Sequence, residues 1–249
     1  MPEVARNTVE ALISEVRDYC RTHADPATAD RYARYFREGY DAWGLLDKNH
    51  PVWTTGKRDW LDRYRRLRLA GFLKAGELLL TSGKFEETSL AIQFVESLRD
   101  DFDEKSFRRL GDWFDAGIGN WAHTDALCAL VISPLLASGR IPLEALAAWR
   151  KSPRKYQRRA VPVGMLDLLK TEEKIGVLLG FLRPLMMDPE RAVQQGLGWF
   201  LREAWKQCPK EVEEFLFEWK DQAPRLIFQY ATEKMSASAR SRFRAAKKG

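Results

Sequence analysis

Residues 121–136 read Trp-Ala-His-Thr-Asp-Ala-Leu-Cys-Ala-Leu-Val-Ile-Ser-Pro-Leu-Leu. Within this stretch Leu127, Leu130 and Val131 are spaced so that they fall on one face of an α-helix. The apolar pattern stops at Ser138-Gly139, a pair typical of a helix end. This stretch therefore predicts a helix with one buried face.

The same helical spacing recurs along most of the chain, and the two-residue alternation of β-strands is almost absent. The other apolar stripes run through Leu12, Val16 and Cys20; Tyr32, Tyr35, Phe36 and Tyr40; Leu73, Leu78 and Leu79; Phe94, Val95 and Leu98; and Leu178, Leu182 and Leu185. Prolines suited to a first helical turn stand at Pro26, Pro189 and Pro209. The sequence predicts an all-α protein. Taken alone, the aromatic stripe favours the buried face of a helix over a platform for a ligand.

The helices also show a weak period. Ser89, Asp125, Arg159 and Gln195 each introduce an apolar run, and they stand 36, 34 and 36 residues apart. A period in the mid-thirties indicates paired-helix repeats of the HEAT kind, which stack into a solenoid. We expect a single right-handed superhelix with a concave basic face, formed by one domain over residues 1–235 and followed by a basic tail over 236–249.

Composition excludes several classes of protein. The 249 residues are 45% hydrophobic and 31% charged, and a mean hydropathy of −0.43 without a long apolar run argues against a membrane span. Three dispersed cysteines and three dispersed histidines disfavour a disulfide framework and a metal site. The beginning of the chain lacks an apolar export signal. We therefore expect a cytoplasmic protein without metal or other cofactor.

The charge distribution points to an anionic partner. The net charge is +6, and much of the positive charge is concentrated in clusters. The clusters comprise Lys57, Arg58, Arg63, Arg65, Arg66 and Arg68; Arg150, Lys151, Arg154, Lys155, Arg158 and Arg159; and Arg240, Arg242, Arg244, Lys247 and Lys248. Any one cluster can be a solvated helix face. Three together favour nucleic acid.

Four residues form a candidate site. Trp121 and Asp125 are one helical turn apart. Arg159 and Trp199 each lie at or near the start of a separate, later apolar run. Taken singly, each tryptophan is interpreted as core or interface, and Arg158-Arg159 as a surface pair. If the repeats stack, equivalent positions become neighbours, and two indoles, a carboxylate and a guanidinium converge.

The motifs around these residues resemble a known family. Ala33-Arg34-Tyr35, Trp121-Ala122-His123-Thr124-Asp125, Gln157-Arg158-Arg159-Ala160 and Gly198-Trp199-Phe200-Leu201-Arg202-Glu203 are similar to the bacterial DNA alkylation repair glycosylases of the AlkD type. The resemblance extends from about Pro26 to the end of the Trp199 helix. Trp199 and the Trp121/Asp125 pair are its most specific matches. Where the family often has a second tryptophan and an acid, this chain has Asn120, Ala122 and His123.

The resemblance implies excision of N3- or N7-alkylated purines from duplex DNA by a monomer, probing the lesion without a deep base-flipping pocket. It assigns the catalytic carboxylate to Asp125, the aromatic slot to Trp121 and Trp199 with Tyr35, and a backbone contact to Arg159. The neighbouring Arg154, Lys155 and Arg158 are expected to bind DNA as well. Because an alkylated purine is already cationic, one carboxylate suffices to stabilise the sugar and place water. His123, two residues before Asp125, is expected to point elsewhere.

Two other functions remain open at this point. A non-catalytic solenoid could bind DNA structures through the same basic residues while Asp125 stays idle. A protein-interaction scaffold is a common use of HEAT solenoids, and it predicts no salt-dependent DNA affinity. The basic row on the predicted concave face favours DNA over a scaffold.

Overall fold

A computed structural model describes residues 3–47, 49–171 and 174–244 of the chain, and its regular elements are helices. The described part holds no β-strand, only an isolated bridge between Asp41 and Lys84. The all-α prediction is therefore confirmed. The chain divides into two compact units, Met1–Val131 and Ile132–Gly249, called here the N-terminal and C-terminal units.

The N-terminal unit is built from eight α-helices in its described residues. They are α1 Glu3–Thr22, α2 Pro26–Ala33, α3 Thr55–Arg63, α4 Arg68–Leu80, α5 Phe85–Glu96, α6 Glu104–Gly111, α7 Trp113–Ala116 and α8 Trp121–Leu127. Short 3-10 turns lie between several of them, and a π-helical segment, Cys128–Ile132, follows α8. The stripe formed by Leu12, Val16 and Cys20 is wholly buried, as its spacing predicts.

The C-terminal unit contains seven α-helices among its described residues. They are α9 Ser133–Ala137, α10 Lys155–Gly164, α11 Ile175–Leu182, α12 Arg191–Trp205, α13 Pro209–Trp219, α14 Arg225–Ala231 and α15 Ala237–Ser241. Helix α12 packs against both α10 and α14. Gly198 allows the close approach to α14, because a Cβ at this position would collide with Tyr230 and the Ile227 carbonyl.

The repeat period is visible in where the helices begin. Helices α5, α8, α10, α12 and α14 start at Phe85, Trp121, Lys155, Arg191 and Arg225, which are 36, 34, 36 and 34 residues apart. Within the units, α5 packs on α8, and α12 packs on α10 and α14. The helix starts thus reproduce the predicted spacing, and within each unit the helices that carry it pack on one another. The right-handed superhelix and its basic concave face stay predictions.

Two of the three helix starts predicted from proline positions are confirmed, and the third differs from the prediction. Helix α2 begins at Pro26, capped by the Asp25 carboxylate, which accepts the Thr28 N–H at 3.2 Å and hydroxyl at 2.7 Å. These hydrogen bonds lower the pKa of Asp25. Helix α13 begins at Pro209, whereas Pro189 lies two residues before the start of α12.

The aromatic stripe is the clearest departure from the helical interpretation. Helix α2 ends at Ala33, before most of the stripe, and the chain turns through bonds from Phe36 N–H to the Ala33 carbonyl and from Gly39 N–H to the Phe36 carbonyl. Gly39 has a φ of 106°, which lies in the region that favours glycine and lets the chain leave the helical path. Tyr35 is 54% exposed, so the stripe is not a buried helix face.

The predicted basic tail is partly folded. Phe243 is buried and stacks on Phe217 at 4.6 Å between ring centroids, while its carbonyl accepts a hydrogen bond from Arg225. Arg242 forms an ion pair with Glu213 at 2.8 Å. The chain up to Arg244 is therefore part of the C-terminal unit. The tail residues Lys247 and Lys248 lie outside the described residues.

A buried carboxylate fixes the loop that follows the aromatic stripe. Glu86, in the first turn of α5, is fully buried, and its two oxygens accept backbone N–H bonds from Trp43 at 2.8 Å, Gly44 at 2.8 Å and Leu45 at 2.9 Å. A negative charge near a helix N-terminus is also stabilised by the helix dipole. The loop and the start of α5 are thereby joined into one structure.

Gly44 is required where the loop meets Glu86. Its φ is +91°, and a Cβ here would collide with the Asp25 carbonyl. Only glycine satisfies both the backbone conformation and the close approach. The Gly44 N–H can then point at the buried carboxylate.

We expect Glu86→Gln to lower the free energy of unfolding by about 2–4 kcal/mol, because an amide NH2 cannot accept the N–H bonds that a carboxylate oxygen accepts. Urea denaturation measures the change. Glu96→Gln is the matched control on the same helix: Glu96 is half-buried and pairs with Lys57 at 3.8 Å, so its loss costs about 0–1 kcal/mol. Equal effects of the two substitutions would contradict the anchoring role.

Candidate functional site

Helix α8 is positioned from its first residue. Asn120 caps it, accepting the His123 N–H at 2.9 Å, and the Thr124 hydroxyl donates to the Asn120 carbonyl at 2.8 Å. Trp121 is consequently the first helical residue, and Asp125 lies one turn later. The structure thus places both residues on one short helix, as their spacing predicts.

Trp121 rests on a stack of aromatic rings. Its indole lies 5.7 Å from the Phe36 ring at an interplanar angle of 13°, and Phe36 in turn lies 4.6 Å from the Tyr40 ring at 15°. Phe85, at the start of α5, packs against both Phe36 and Tyr40. Trp121 remains 45% exposed. We call Tyr40, Phe36 and Trp121 the aromatic column; it presents an indole to solvent on a fixed support.

Tyr35 lies beside the aromatic column, and Asp125 lies on the same short helix as its outermost ring. The Trp121 indole N–H is 3.5 Å from the Tyr35 carbonyl oxygen. The Tyr35 ring is exposed, and the Arg34 guanidinium lies 5.0 Å from its centroid and donates to its hydroxyl at 3.1 Å. Asp125 is half-buried. The N-terminal unit therefore carries three of the predicted site residues: Tyr35, Trp121 and Asp125.

His123 is buried, and both of its ring nitrogens are hydrogen-bonded. Its Nε2–H donates to the Phe85 carbonyl at 3.0 Å, and its Nδ1 accepts from the Asn120 amide at 2.8 Å. Burial lowers the pKa of His123 to about 4. A neutral, fully bonded imidazole fixes Asn120, and through it the start of α8; as predicted, it is not directed to solvent as a proton relay.

The C-terminal unit carries Arg159 and Trp199. Arg159, on α10, is buried, and one of its Nη atoms donates to the Ala192 carbonyl of α12 at 2.7 Å. Trp199 is half-buried on α12. This bond and the packing of α10 on α12 join the two helices that hold these residues.

The remaining predicted cations differ in how they are engaged. Arg158 forms a bidentate ion pair with the buried Asp188, at 2.6 and 3.2 Å, and donates to the Ser152 carbonyl at 2.7 Å. Arg154 is exposed at the start of α10, and the Lys155 ammonium lies 5.3 Å from the Tyr156 ring. Arg158 and Arg159 therefore both use part of their hydrogen-bonding capacity on neighbouring residues, and their contact with DNA stays a prediction.

Two residues that support the site were not singled out from the sequence. Glu86 looks like an ordinary acid of a helix start, and its three bonds depend on a loop more than forty residues earlier. Phe36 was assigned to the buried face of a helix, and its actual partner, Trp121, is 85 positions further on. In both cases the supporting role depends on a contact with a distant segment, which the spacing of neighbouring residues does not reveal.

The described part of the chain was compared with the requirements of a metal site and of a membrane span. No group of three or more His, Cys, Asp or Glu side chains among residues 3–47, 49–171 and 174–244 is arranged to hold a metal ion. Within the same ranges, no helix combines the length and apolar character needed to cross a bilayer.

We expect stability to fall as the pH drops through the range set by His123. Unfolded His123 takes up a proton near its ordinary pKa of 6.5, whereas the folded residue resists protonation until about pH 4. The stability that depends on neutral His123 is fully present above pH 6.5 and is lost progressively as the pH falls towards 4. The loss amounts to about 2 kcal/mol by pH 5.

Unfolding free energies of the wild type and His123→Gln at pH 7.5 and pH 5 measure this effect. The wild type should lose about 2 kcal/mol more than the variant, since other acids titrate equally in both. Identical losses would mean that His123 is not held neutral.

The Phe36–Trp121 contact is expected to contribute about 0.5–1.5 kcal/mol, the usual value for an aromatic pair. A double-mutant cycle with Phe36→Leu and Trp121→Leu measures this coupling by urea denaturation. Phe36→Leu combined with Tyr64→Leu is the control, because the Tyr64 hydroxyl donates instead to Glu15. The control pair should be additive within about 0.5 kcal/mol. If the free-energy changes are additive in both cycles, Phe36 does not stabilise the position of Trp121.

Comparisons with known proteins bear on the fold and the family of the chain. A predicted DNA alkylation repair enzyme from Enterococcus faecalis has a similar structure: the TM-score is 0.66 at 16% identity, and the match covers 86% of this chain and 98% of that protein's chain. At this identity the likeness shows the fold alone. A search of curated proteins finds no match.

A family model gives the identification. The model described as "DNA alkylation repair enzyme" matches residues 16–235, a range that includes Tyr35, Trp121, Asp125, Arg159 and Trp199. The match covers most of both units. The chain belongs to the DNA alkylation repair enzyme family.

Proposed function

We propose that this protein is a DNA glycosylase that hydrolyses the N-glycosidic bond of cationic N3- or N7-alkylated purines in duplex DNA. The observation that carries the proposal is the first turn of α8, where the exposed Trp121 indole and the Asp125 carboxylate stand one turn apart. Family membership supports a role in repair of alkylated DNA. A cation-seeking aromatic surface and a carboxylate on one helix suit a cationic base and the charge that develops on its sugar.

The proposed reaction makes modest demands on the protein. The C1′–N bond breaks, and its electron pair neutralises the positive charge of the alkylated base, which leaves as a neutral purine. Asp125 stabilises the oxocarbenium-like sugar, and a water adds at C1′ and loses a proton to solvent or to the carboxylate. The base needs no protonation before it departs, because alkylation has already made it a good leaving group. The chemistry therefore requires no second catalytic carboxylate and no resident cofactor.

The aromatic residues would provide selectivity. A cation over an indole or phenol face gains about 0.5–2 kcal/mol, depending on how far it is desolvated, and a neutral base does not. Trp121 and Tyr35 are exposed in the N-terminal unit, and Trp199 is half-buried in the C-terminal unit. We assign the three rings to recognition of the charged lesion, approached without flipping it into a deep pocket.

The basic residues of α10 would hold the DNA backbone. We assign this role to Arg159, with Arg154 and Lys155 at the start of the helix. Arg158 is assigned to the same surface; its ion pair with Asp188 and the bond of Arg159 to the Ala192 carbonyl orient the two guanidinium groups. We further propose that the protein works as a monomer on chromosomal DNA in the cytoplasm.

Asp125→Asn tests the chemistry directly. Release of 7-methylguanine and 3-methyladenine from methylated duplex DNA should fall at least about 100- to 1,000-fold, the usual effect of losing one electrostatic stabiliser of a transition state. Affinity for DNA should stay equal or rise. The control is Asp112→Asn, an exposed acid of the same unit.

The other outcomes separate the competing functions. Wild-type activity in Asp125→Asn would remove the carboxylate from the mechanism. Absence of release by the wild type, with salt-sensitive DNA binding, would instead favour a non-catalytic DNA-structure binder. Absence of salt-sensitive DNA binding as well would favour a protein-interaction scaffold.

A further inference from the structure

The segment that carries Tyr35 also carries three exposed arginines without carboxylate partners. Arg31, Arg34 and Arg37 form no ion pair with any acid in the described ranges. Other arginines of the N-terminal unit do pair with carboxylates, namely Arg17, Arg21, Arg63, Arg108 and Arg109. Arg31 interacts at longer range with the Asp25 carboxylate, whose pKa it helps to lower, so Arg34 and Arg37 carry the positive charge that no carboxylate of the described residues shares.

Two of these arginines are arranged on aromatic rings. The Arg31 guanidinium lies 5.5 Å from the centroid of Tyr32, and that of Arg34 lies 5.0 Å from the centroid of Tyr35. The two tyrosine rings are 6.2 Å apart. One Nη atom of Arg31 donates to the Thr28 hydroxyl at 3.1 Å and one of Arg34 to the Tyr35 hydroxyl at 3.1 Å, so the other N–H groups of these guanidinium groups can bind phosphate oxygens. Arg37 completes the row with an exposed side chain that has no such ring.

A second set of arginines, Arg58, Arg65, Arg66 and Arg68, also lacks ion pairs in the described part of the chain, but none of them lies over a ring. Among the described arginines of the N-terminal unit, those beside Tyr35 combine cations that form no ion pair with an exposed aromatic surface. Three like charges within seven residues repel one another, and a polyanion removes that cost. The planar fork of arginine fits the oxygens of phosphate groups.

We infer that Arg31, Arg34 and Arg37, called here the arginine row, bind backbone phosphates of duplex DNA next to Trp121 and Tyr35. The inference rests on the proposed function for the identity of the polyanion. It adds a contact surface in the N-terminal unit to the residues assigned on α10. Phosphates held by this row fix a DNA strand beside the exposed indole, while Arg34 also bonds the Tyr35 hydroxyl.

The salt dependence of binding counts these contacts. Each phosphate contact contributes about 0.9 to the slope of log affinity against log salt concentration on duplex DNA. Arg34→Gln combined with Arg37→Gln should reduce the magnitude of the slope by about 1.8 and weaken binding to unmodified duplexes of unrelated sequence alike. Fluorescence anisotropy over a range of NaCl concentrations measures the slope.

The matched control changes net charge equally. Arg21→Gln combined with Arg108→Gln also removes two exposed positive charges from the N-terminal unit, at residues that are already paired with Asp18 and Glu104. The control should retain the wild-type slope. Equal slopes for the two double variants would overturn the inference, because the loss would then be a general charge effect. Thermal unfolding verifies that both variants fold.

Using unmodified DNA separates this inference from the catalytic proposal. A reduced slope with no base excision by the wild type would retain the arginine row as a DNA surface and reject the glycosylase. Excision by the wild type with an unchanged slope in the Arg34/Arg37 variant would reject the row alone. Absence of DNA binding by the wild type would also overturn the inference. So would a wild type that binds polyglutamate and not DNA, if the Arg34/Arg37 variant loses that binding.

Discussion

The buried Glu86 carboxylate is the interaction on which the N-terminal unit depends. A charge without access to water is costly unless it is fully hydrogen-bonded, and here three consecutive backbone N–H groups from Trp43 to Leu45 provide those bonds. The requirement acts in both directions, since these loop N–H groups have no other acceptor among the residues that the structure describes. Gly44 and the start of α5 must therefore meet in one geometry. The aromatic segment just before the loop is held against Phe85 as a result.

The site follows from this anchoring by short steps. Phe36 and Tyr40 are set against α5, and Trp121 stacks on Phe36. The neutral His123 fixes the cap of α8 from the other side, so the indole and Asp125 are positioned by groups that do no chemistry themselves. Preorganisation of this kind lets an exposed surface present one geometry to a ligand. The N-terminal unit therefore presents a rigid, exposed aromatic face, which is the surface that we propose recognises the charged base.

The sequence could predict whatever depends on local spacing. Helical period and proline position identified the all-α class, the wholly buried stripe of α1 and the start of α2. The order of motifs identified the family and placed Trp121 and Asp125 on one turn. What it could not predict were contacts between distant segments. The Tyr35 stripe has helical spacing, yet the chain turns at Gly39, and Arg158 resembles its neighbour Arg159 but pairs with Asp188.

The stacking of Trp121 on Phe36 also has a consequence for folding. Contacts between successive helices join residues 30 to 40 positions apart, so they can form locally and in order. The aromatic column instead closes a segment of 85 residues, and non-local contacts of this length form slowly because their loop-closure entropy is lost before the contact is gained. A chain emerging during synthesis can pair α4 with α5 before α8 exists. The surface that we assign to lesion recognition is then among the last parts of the N-terminal unit to take shape.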